Sequence, residues 1–347
     1  MDDSTAYIGL DVHARTCMLS WRDEAGDVQD SSRFDTSAEE LIAQVKDIDA
    51  DTKILTLEES SLAYWTARTL TGSVDRIIVC DPRENPLISQ SIRKGDGPDA
   101  KALARLLRLD ELNEVYQPAN DRRAVYKQAC NHYMDMRDQQ RKLKQKIKSR
   151  LRRWGLYHIS GSEVYSQNGR EAYLEKLEHP RIRSQVEGLY RLLDSTSDEK
   201  KAAKRAFFDL GRSYPEVTEF QEMPGVGPVG AHTFDAIIQT PHRFASKQKL
   251  WRYSKLGIRK PTSDGDPVDR EKLDAAGNGE LKALSHRVWK EALKGDEANE
   301  ISVSYERSLR RTNNKVHARL NTQRKILATM WGLWKHETSY DPTLFLG

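Results

Sequence analysis

Four carboxylates in this chain stand where an acid is either costly or purposeful. Asp11 interrupts the apolar run Tyr7-Ile8-Gly9-Leu10-Asp11-Val12-His13, which reads as a strand buried on at least one face. An ionised Asp there costs roughly several kcal/mol unless it is paired or bound to a cation. Glu58 ends a second apolar run, Lys53-Ile54-Leu55-Thr56-Leu57, and Glu59 beside it is a rival for the same role. Asp96 and Asp99 lie three residues apart at the start of an Ala/Leu/Arg helix, near one dipole end that tolerates them both. Taken singly, the two helix-start acids suit ordinary caps and Glu58 a solvated strand end. Taken together, the four make an oxygen cage for Mg²⁺, a hard cation that keeps positions open for water and phosphate. Two such ions about 4 Å apart could clamp the attacking and leaving oxygens of a phosphodiester.

The elements that must position these acids follow from pattern. Tyr7 to His13, Thr16 to Trp21 and Val28 to Phe34 read as three strands, the last two joined by a turn at Glu24-Ala25-Gly26-Asp27. Ser37-Ala38-Glu39-Glu40 carries a capping-box pattern that opens a helix to about Ile48. A strand over 53–57, a helix over 60–70 and a strand over 76–81 stopped by Pro82 come next. Pro98 then suits the first position of the acid-bearing helix, with Gly97 or Asp96 as its cap. Three meandering strands followed by helix-strand alternation match the order of a ribonuclease H-like fold, an order that other α/β arrangements share.

With 347 residues the chain is long enough for more than one core. Lys+Arg exceed Asp+Glu by only four (56 against 52), so a polyanion partner has to be sought in the distribution of charge. Cys17, Cys80 and Cys130 have neither an even count nor zinc spacing, which fits packing roles in a reducing cytosol. The sequence has no signal-like N-terminus and no apolar run near the roughly 18 residues needed to span a bilayer, so a cytoplasmic protein without a membrane partner is expected.

Charge is concentrated between Asp121 and Trp154, a long helix without internal Pro or Gly. Val125, Ala129, Tyr133, Met136, Leu143, Ile147, Leu151 and Trp154 form a coiled-coil-like stripe. Arg141, Lys142, Lys144, Lys146, Lys148, Arg150, Arg152 and Arg153 have no acid among them, a concentrated positive surface for nucleic acid. Gly155 and the stretch from Ser160 to Gly169 read as a tip or linker. A second helical segment, about Arg170 to Leu210 with a break at Ser195-Thr196-Ser197, could fold back antiparallel on the first. Further on, Met223-Pro224-Gly225-Val226-Gly227-Pro228 resembles the turn of a helix-hairpin-helix, whose glycines admit a phosphate backbone, and fits a plain tight turn equally. Pro261 to Pro267 is a turn-rich loop in which Ser263 fits a serine bonding its own turn. Gly277-Asn278 precedes a helix over Leu281 to Lys294, and Tyr305 to Lys335 reads as a final basic helical run with Arg307, Arg310, Arg311, Lys315, Arg319, Arg324 and Lys325.

In this order, the pieces Ile8-Gly9-Leu10-Asp11-Val12, Leu57-Glu58-Glu59-Ser60, Lys94-Gly95-Asp96-Gly97-Pro98-Asp99-Ala100, Pro224-Gly225-Val226-Gly227-Pro228 and Gly257-Ile258 leading to Ser263 and Gly277-Asn278 resemble the insertion-sequence DEDD transposases. These are the bridge-RNA-guided recombinases with a RuvC-like N-terminal domain and a C-terminal serine transposase domain. The resemblance implies an α/β RuvC-like domain over residues 1–118, a basic helical coiled coil over 119–212 and a mainly α-helical transposase domain over 213–347. It implies Mg²⁺ on Asp11, Glu58, Asp96 and Asp99, and Ser263 as the nucleophile forming a covalent serine-DNA link, with Thr262 as its rival. Donor and target DNA, a structured guide RNA and a homodimer or homotetramer sharing a composite site would be the partners. Arg141, Lys142, Lys144, Lys148, Arg152, Arg153, Gly225 and Gly227 would contact nucleic acid. Two rival expectations remain: a RuvC-like metal nuclease with a structural Ser263, and a non-catalytic nucleic-acid-binding scaffold.

Overall fold

A computed structural model describes residues 4–82, 96–118, 120–159, 161–259, 262–263, 266–267, 272–295 and 297–346; side chains at 96–97, 262–263, 266–267 and 344 fall outside the description. The protein is mixed α/β and divides into two compact units, Met1–Gln117 and Pro118–Gly347.

The first unit is built on β1 (Thr5–Val12), β2 (Thr16–Arg22), β3 (Val28–Asp35), β4 (Thr52–Glu58) and β5 (Arg76–Cys80), in sheet order β3-β2-β1-β4-β5. The β1-β2 and β2-β3 pairs are antiparallel; β1-β4 and β4-β5 are parallel. The Gly26 turn closes with φ +96°, and Asp23 Oδ1 accepts from the Gly26 and Asp27 amides. Helix α1 (Ala38–Lys46) is capped by Ser37, whose hydroxyl accepts from the Glu40 amide. Side-chain alternation divides the sheet faces. Ala6, Ile8 and Leu10 join Leu55 and Leu57 in a core with Leu41 and Val45 of α1 and Ala63 and Leu70 of α2 (Ala63–Leu70). The opposite parity places Gly9 and Asp11 of β1 with Thr56 and Glu58 of β4, on the face covered by α3 (Asp96–Arg108).

Gly9 explains how closely α3 lies. A Cβ there would stand 2.1 Å from the Ala100 carbonyl oxygen and 2.5 Å from the Ala104 amide. Only a hydrogen fits between strand and helix. The helix begins at Asp96, two residues before Pro98, so Pro98 sits inside the first turn, where its missing N–H leaves no helical bond unmade.

In the second unit, α4 (Asp121–Arg153) starts at Asn120, whose side chain accepts from the Arg123 amide. It packs antiparallel on α6 (Pro180–Gly211). Tyr126, Cys130 and Tyr133 near its start meet Ala203 and Phe207, while Ile147 and Leu151 near its end meet Val186, Tyr190 and Leu193. Of the apolar stripe expected in the sequence, Tyr133, Ile147 and Leu151 are buried and Ala129, Met136 and Leu143 pack beside them, while its two ends differ. Val125 is 51% exposed and Tyr126 is fully buried; Trp154 faces outward. The stripe in contact runs Tyr126, Cys130, Tyr133, Arg137, Gln140, Lys144, Ile147 and Leu151, a 4-3 repeat with a polar centre. Gln140 donates to the Ser197 hydroxyl at 2.8 Å and accepts from Lys200 at 2.6 Å.

The break expected at 195–197 is absent from the helix. Thr196 and Ser197 turn their hydroxyls back onto the carbonyls of Leu192 and Leu193, which satisfies them inside the helix. The interruption comes earlier, between α5 (Gln167–Glu175) and Pro180, so part of the expected tip is helical. The expected final run likewise divides into two, α11 (Glu300–Thr312) and α12 (Lys315–His336). Asn313 takes φ +47° to end the first, and Asn314 caps the second by accepting from the Val316 and His317 amides.

Short α7 (Glu216–Gln221) and α8 (Pro228–Ile238) flank the Pro-Gly-x-Gly-Pro turn, and α9 (Lys247–Tyr253) precedes the serine segment. That segment forms two-residue strands, β6 (Ile258–Arg259) with β9 (Lys272–Leu273) and β7 (Thr262–Ser263) with β8 (Asp266–Pro267). Helix α10 (Gly279–Ala292) follows, capped by Asn278. Phe220, Phe234, Leu281, Leu284, Val288, Ile326, Leu327 and Met330 fill the core of this end.

Candidate functional site

The sheet register brings the first-unit acids together. β1 and β4 pair Gly9 with Thr56 and Leu10 with Leu57, so Asp11 and Glu58 are the next residues along two neighbouring parallel strands. Asp99 lies in the first turn of the helix that Gly9 lets onto the same face. The Glu58 carboxyl is pushed up, first by burial and then by the negative fields of Asp11, Asp99 and Asp81. Its Oε1 is buried with no hydrogen-bond partner among the described residues. Glu59, the alternative, lies on the other side of the strand end and accepts from Gln117 Nε2 at 2.8 Å. The Asp96 side chain falls outside the described residues.

Two participants were not singled out in the sequence. Asp81, directly after β5, contributes to the field on Glu58; its position after a strand parallel to β4 was the available signal. His13 Nε2 lies 3.2 Å from Asp11 Oδ2, so an imidazole stands at the mouth of the acid cluster. Among the described residues no three His, Cys, Asp or Glu side chains already converge on one metal position. An all-oxygen donor set of mutually repelling carboxylates, one with an orphaned buried oxygen, suits a hard divalent cation.

In the second unit the basic end of α4 presents Arg141, Lys142, Lys146, Arg150, Arg152 and Arg153 to solvent. Lys144 and Lys148 are half-buried over the Tyr165 ring, Lys148 also donates to the Gly161 carbonyl, and Arg141 lies 3.5 Å from Asp138. The two turn glycines differ. A Cβ at Gly225 would stand 2.4 Å from the Val288 carbonyl, so its φ of +77° and lack of side chain serve the approach of α10; Gly227, ahead of α8, has open space. The backbone of Ser263 lies in β7; its side chain and that of Thr262 fall outside the described residues, as do Lys94, Gly95, Pro261, Asp264 and Gly265.

Where α4 meets α7 and α8, Arg123 Nη1 lies 2.6 Å from Asp235 Oδ1 and Nη2 lies 2.5 Å from Glu216 Oε1. The guanidinium also covers the Tyr214 ring at 3.6 Å. The Tyr126 hydroxyl lies 2.8 Å from His232 Nδ1, and burial holds the imidazole down to about 4. This cluster is internal and fixes α8 against α4.

No protein-family model matches the chain, and no curated protein matches it. No described helix is long and apolar enough to cross a membrane.

Proposed function

We propose that the protein is a DNA transposase or recombinase whose first unit is a RuvC-like domain binding Mg²⁺ through Asp11, Glu58, Asp96 and Asp99. The observation that carries this reading is the buried Glu58 oxygen, without a partner among the described residues, in the combined field of Asp11, Asp99 and Asp81. A carboxylate so placed is unfavourable alone and favourable around a divalent cation. Bound there, Mg²⁺ would supply charge stabilisation to a phosphodiester undergoing displacement.

The chain's own groups have the remaining work. The acids hold their geometry through β1, β4 and the α3 start, and the basic end of α4 offers a surface for phosphate backbone. Following the resemblance, the Ser263 hydroxyl oxygen attacks phosphorus, forming a serine-phosphate bond as a phosphorus-oxygen bond of the strand breaks. The serine hydroxyl gives up its proton, and the released sugar oxygen takes one to become a hydroxyl. Attack by a hydroxyl of the second strand reverses the exchange and restores serine. A structured RNA pairing with the DNA would supply sequence choice.

The decisive experiment traps protein on end-labelled DNA with Mg²⁺. The wild type and Thr262→Val should form a covalent adduct, and Ser263→Ala and Asp11→Asn should form none. An adduct that survives Ser263→Ala would sink the serine assignment; Mg²⁺-dependent cleavage without any adduct would leave a hydrolytic nuclease.

A further inference from the structure

A second cluster of charged groups lies at the opposite end of the chain, on α10 and α12. Gln323 of α12 donates to the Lys282 carbonyl at 3.2 Å and to Ser285 Oγ at 3.1 Å, which fixes the register of the two helices. Arg319, one turn earlier on α12, therefore faces the next turn of α10, where His286, Trp289 and Lys290 follow at helical spacing. The His286 and Trp289 rings are 5.4 Å apart. His286 is held below its ordinary value by burial and then by the positive fields of Arg319, Lys290 and Arg287, so these cations are close neighbours.

Within this cluster the hydrogen-bond accounting fails in one direction only. Trp289 Nε1 and Arg319 Nε are both buried, both are obligate donors, and neither has an acceptor among the described residues. Of the cations here, Arg287 has a carboxylate, Glu280, at 2.7 Å, which it shares with Arg137. The nearby Glu291 is held by Lys294 at 2.7 Å. No ion pair of Lys290 or Arg319 occurs among the described residues. Positive groups around two donors lacking an acceptor are complementary to an anion with several acceptor oxygens. A phosphodiester supplies both the charge and the oxygens.

We propose that His286, Trp289, Lys290 and Arg319 form a phosphate-binding site on the α10-α12 face that grips the backbone of a nucleic acid. The proposal rests on the nucleic-acid reading above and adds to it a contact far in sequence from the basic end of α4. It takes the phosphodiester, common to DNA and RNA, as ligand; base identity plays no part.

The test uses the full-length protein, with a duplex DNA, a structured RNA and inorganic phosphate as separate probes. In the double variant Lys290→Gln/Arg319→Gln, affinity for the duplex or the RNA should fall about 10-fold at 0.15 M salt. The slope of log K against log salt should become shallower by about one to two. Lys290→Gln alone, at an exposed position, should give part of both effects with unchanged thermal unfolding, which separates contact from misfolding. The Trp289 indole N–H resonance, assigned by its loss in Trp289→Phe, should move on adding oligonucleotide. Unchanged affinity and slope in the double variant would overturn the proposal, and if Arg150→Gln/Arg152→Gln still weakened binding the broader reading would survive. An indole that responds to millimolar phosphate and to neither nucleic acid would make this a free-anion site and overturn the proposal also. A wild type that binds no nucleic acid would overturn both.

Discussion

Glu58 carries a charge that its folded surroundings disfavour. Its folded carboxyl lies above the ordinary carboxylate range, so the folded state holds the proton more tightly than the unfolded state does. The sign follows: its contribution favours folding at low pH, and stability falls as pH rises from the ordinary value through the raised folded one. Glu58→Gln removes that repulsion, so the variant without added metal should melt above the wild type at pH 8, and Mg²⁺ should no longer raise its melting temperature. Differential scanning calorimetry with and without Mg²⁺ reads both effects; a wild type that Mg²⁺ fails to stabilise would refute the metal assignment. His232 has the opposite sign. Its folded value near 4 is depressed from 6.5, so the stability it gives is full above 6.5 and is lost as pH falls towards 4, by about 3 kcal/mol. Phe at this position keeps the stack on Phe208 and leaves the Tyr126 hydroxyl the residue 232 carbonyl. Urea unfolding of His232→Phe should therefore show a flatter slope between pH 4 and 6.5.

At the scale of elements, Gly9 matters as much as any acid, because it sets where α3 and hence Asp99 lie against β1. In Gly9→Ala the new Cβ meets two backbone atoms that cannot rotate away. The cost should be about 1–3 kcal/mol, with Mg²⁺ affinity weakened ~10-fold or more, as for lost supporting groups around a metal. Isothermal titration calorimetry distinguishes this from simple destabilisation. Arg123 plays the corresponding part in the second unit. Its replacement by Met strands Asp235 and Glu216 without a cation in a buried setting and should cost about 3–5 kcal/mol by chemical denaturation.

The elements also show what the sequence could convey. The strands of the first unit and α1 were legible, because alternation, the Gly26 turn and the Ser37 cap act locally. The middle of the α4 stripe was legible too, but its ends and its polar centre were not. Arg137, Gln140 and Lys144 line the contact stripe, half-buried, because they find Glu280, Ser197 with Lys200, and the Tyr165 ring, partners that sequence periodicity cannot see. Val125 and Trp154 then passed for core residues. The closeness of Asp11 and Glu58 could be anticipated because each interrupts or ends an apolar strand, whereas Asp81 needed the order of β4 and β5, and the donors of Trp289 and Arg319 needed the packing of α10 on α12.

On the scale of the whole molecule, the two units divide the chemistry: every described carboxylate of the proposed metal site lies within residues 1–117, and the basic end of α4 lies within 118–347. A net charge of only +4 conceals this. Hydrogen exchange can read the division directly. Mg²⁺ alone should slow exchange at the end of β1, the end of β4 and the first turns of α3, leaving α4 unchanged, because a cation held by four carboxylates restrains the backbone that carries them. Nucleic acid without Mg²⁺ should slow exchange around 141–153, and 0.5 M salt should abolish that protection because the attraction is electrostatic. The arrangement would be refuted by the converse pattern, in which nucleic acid without metal protects only the first unit, since the basic helix would then have no part in holding the substrate.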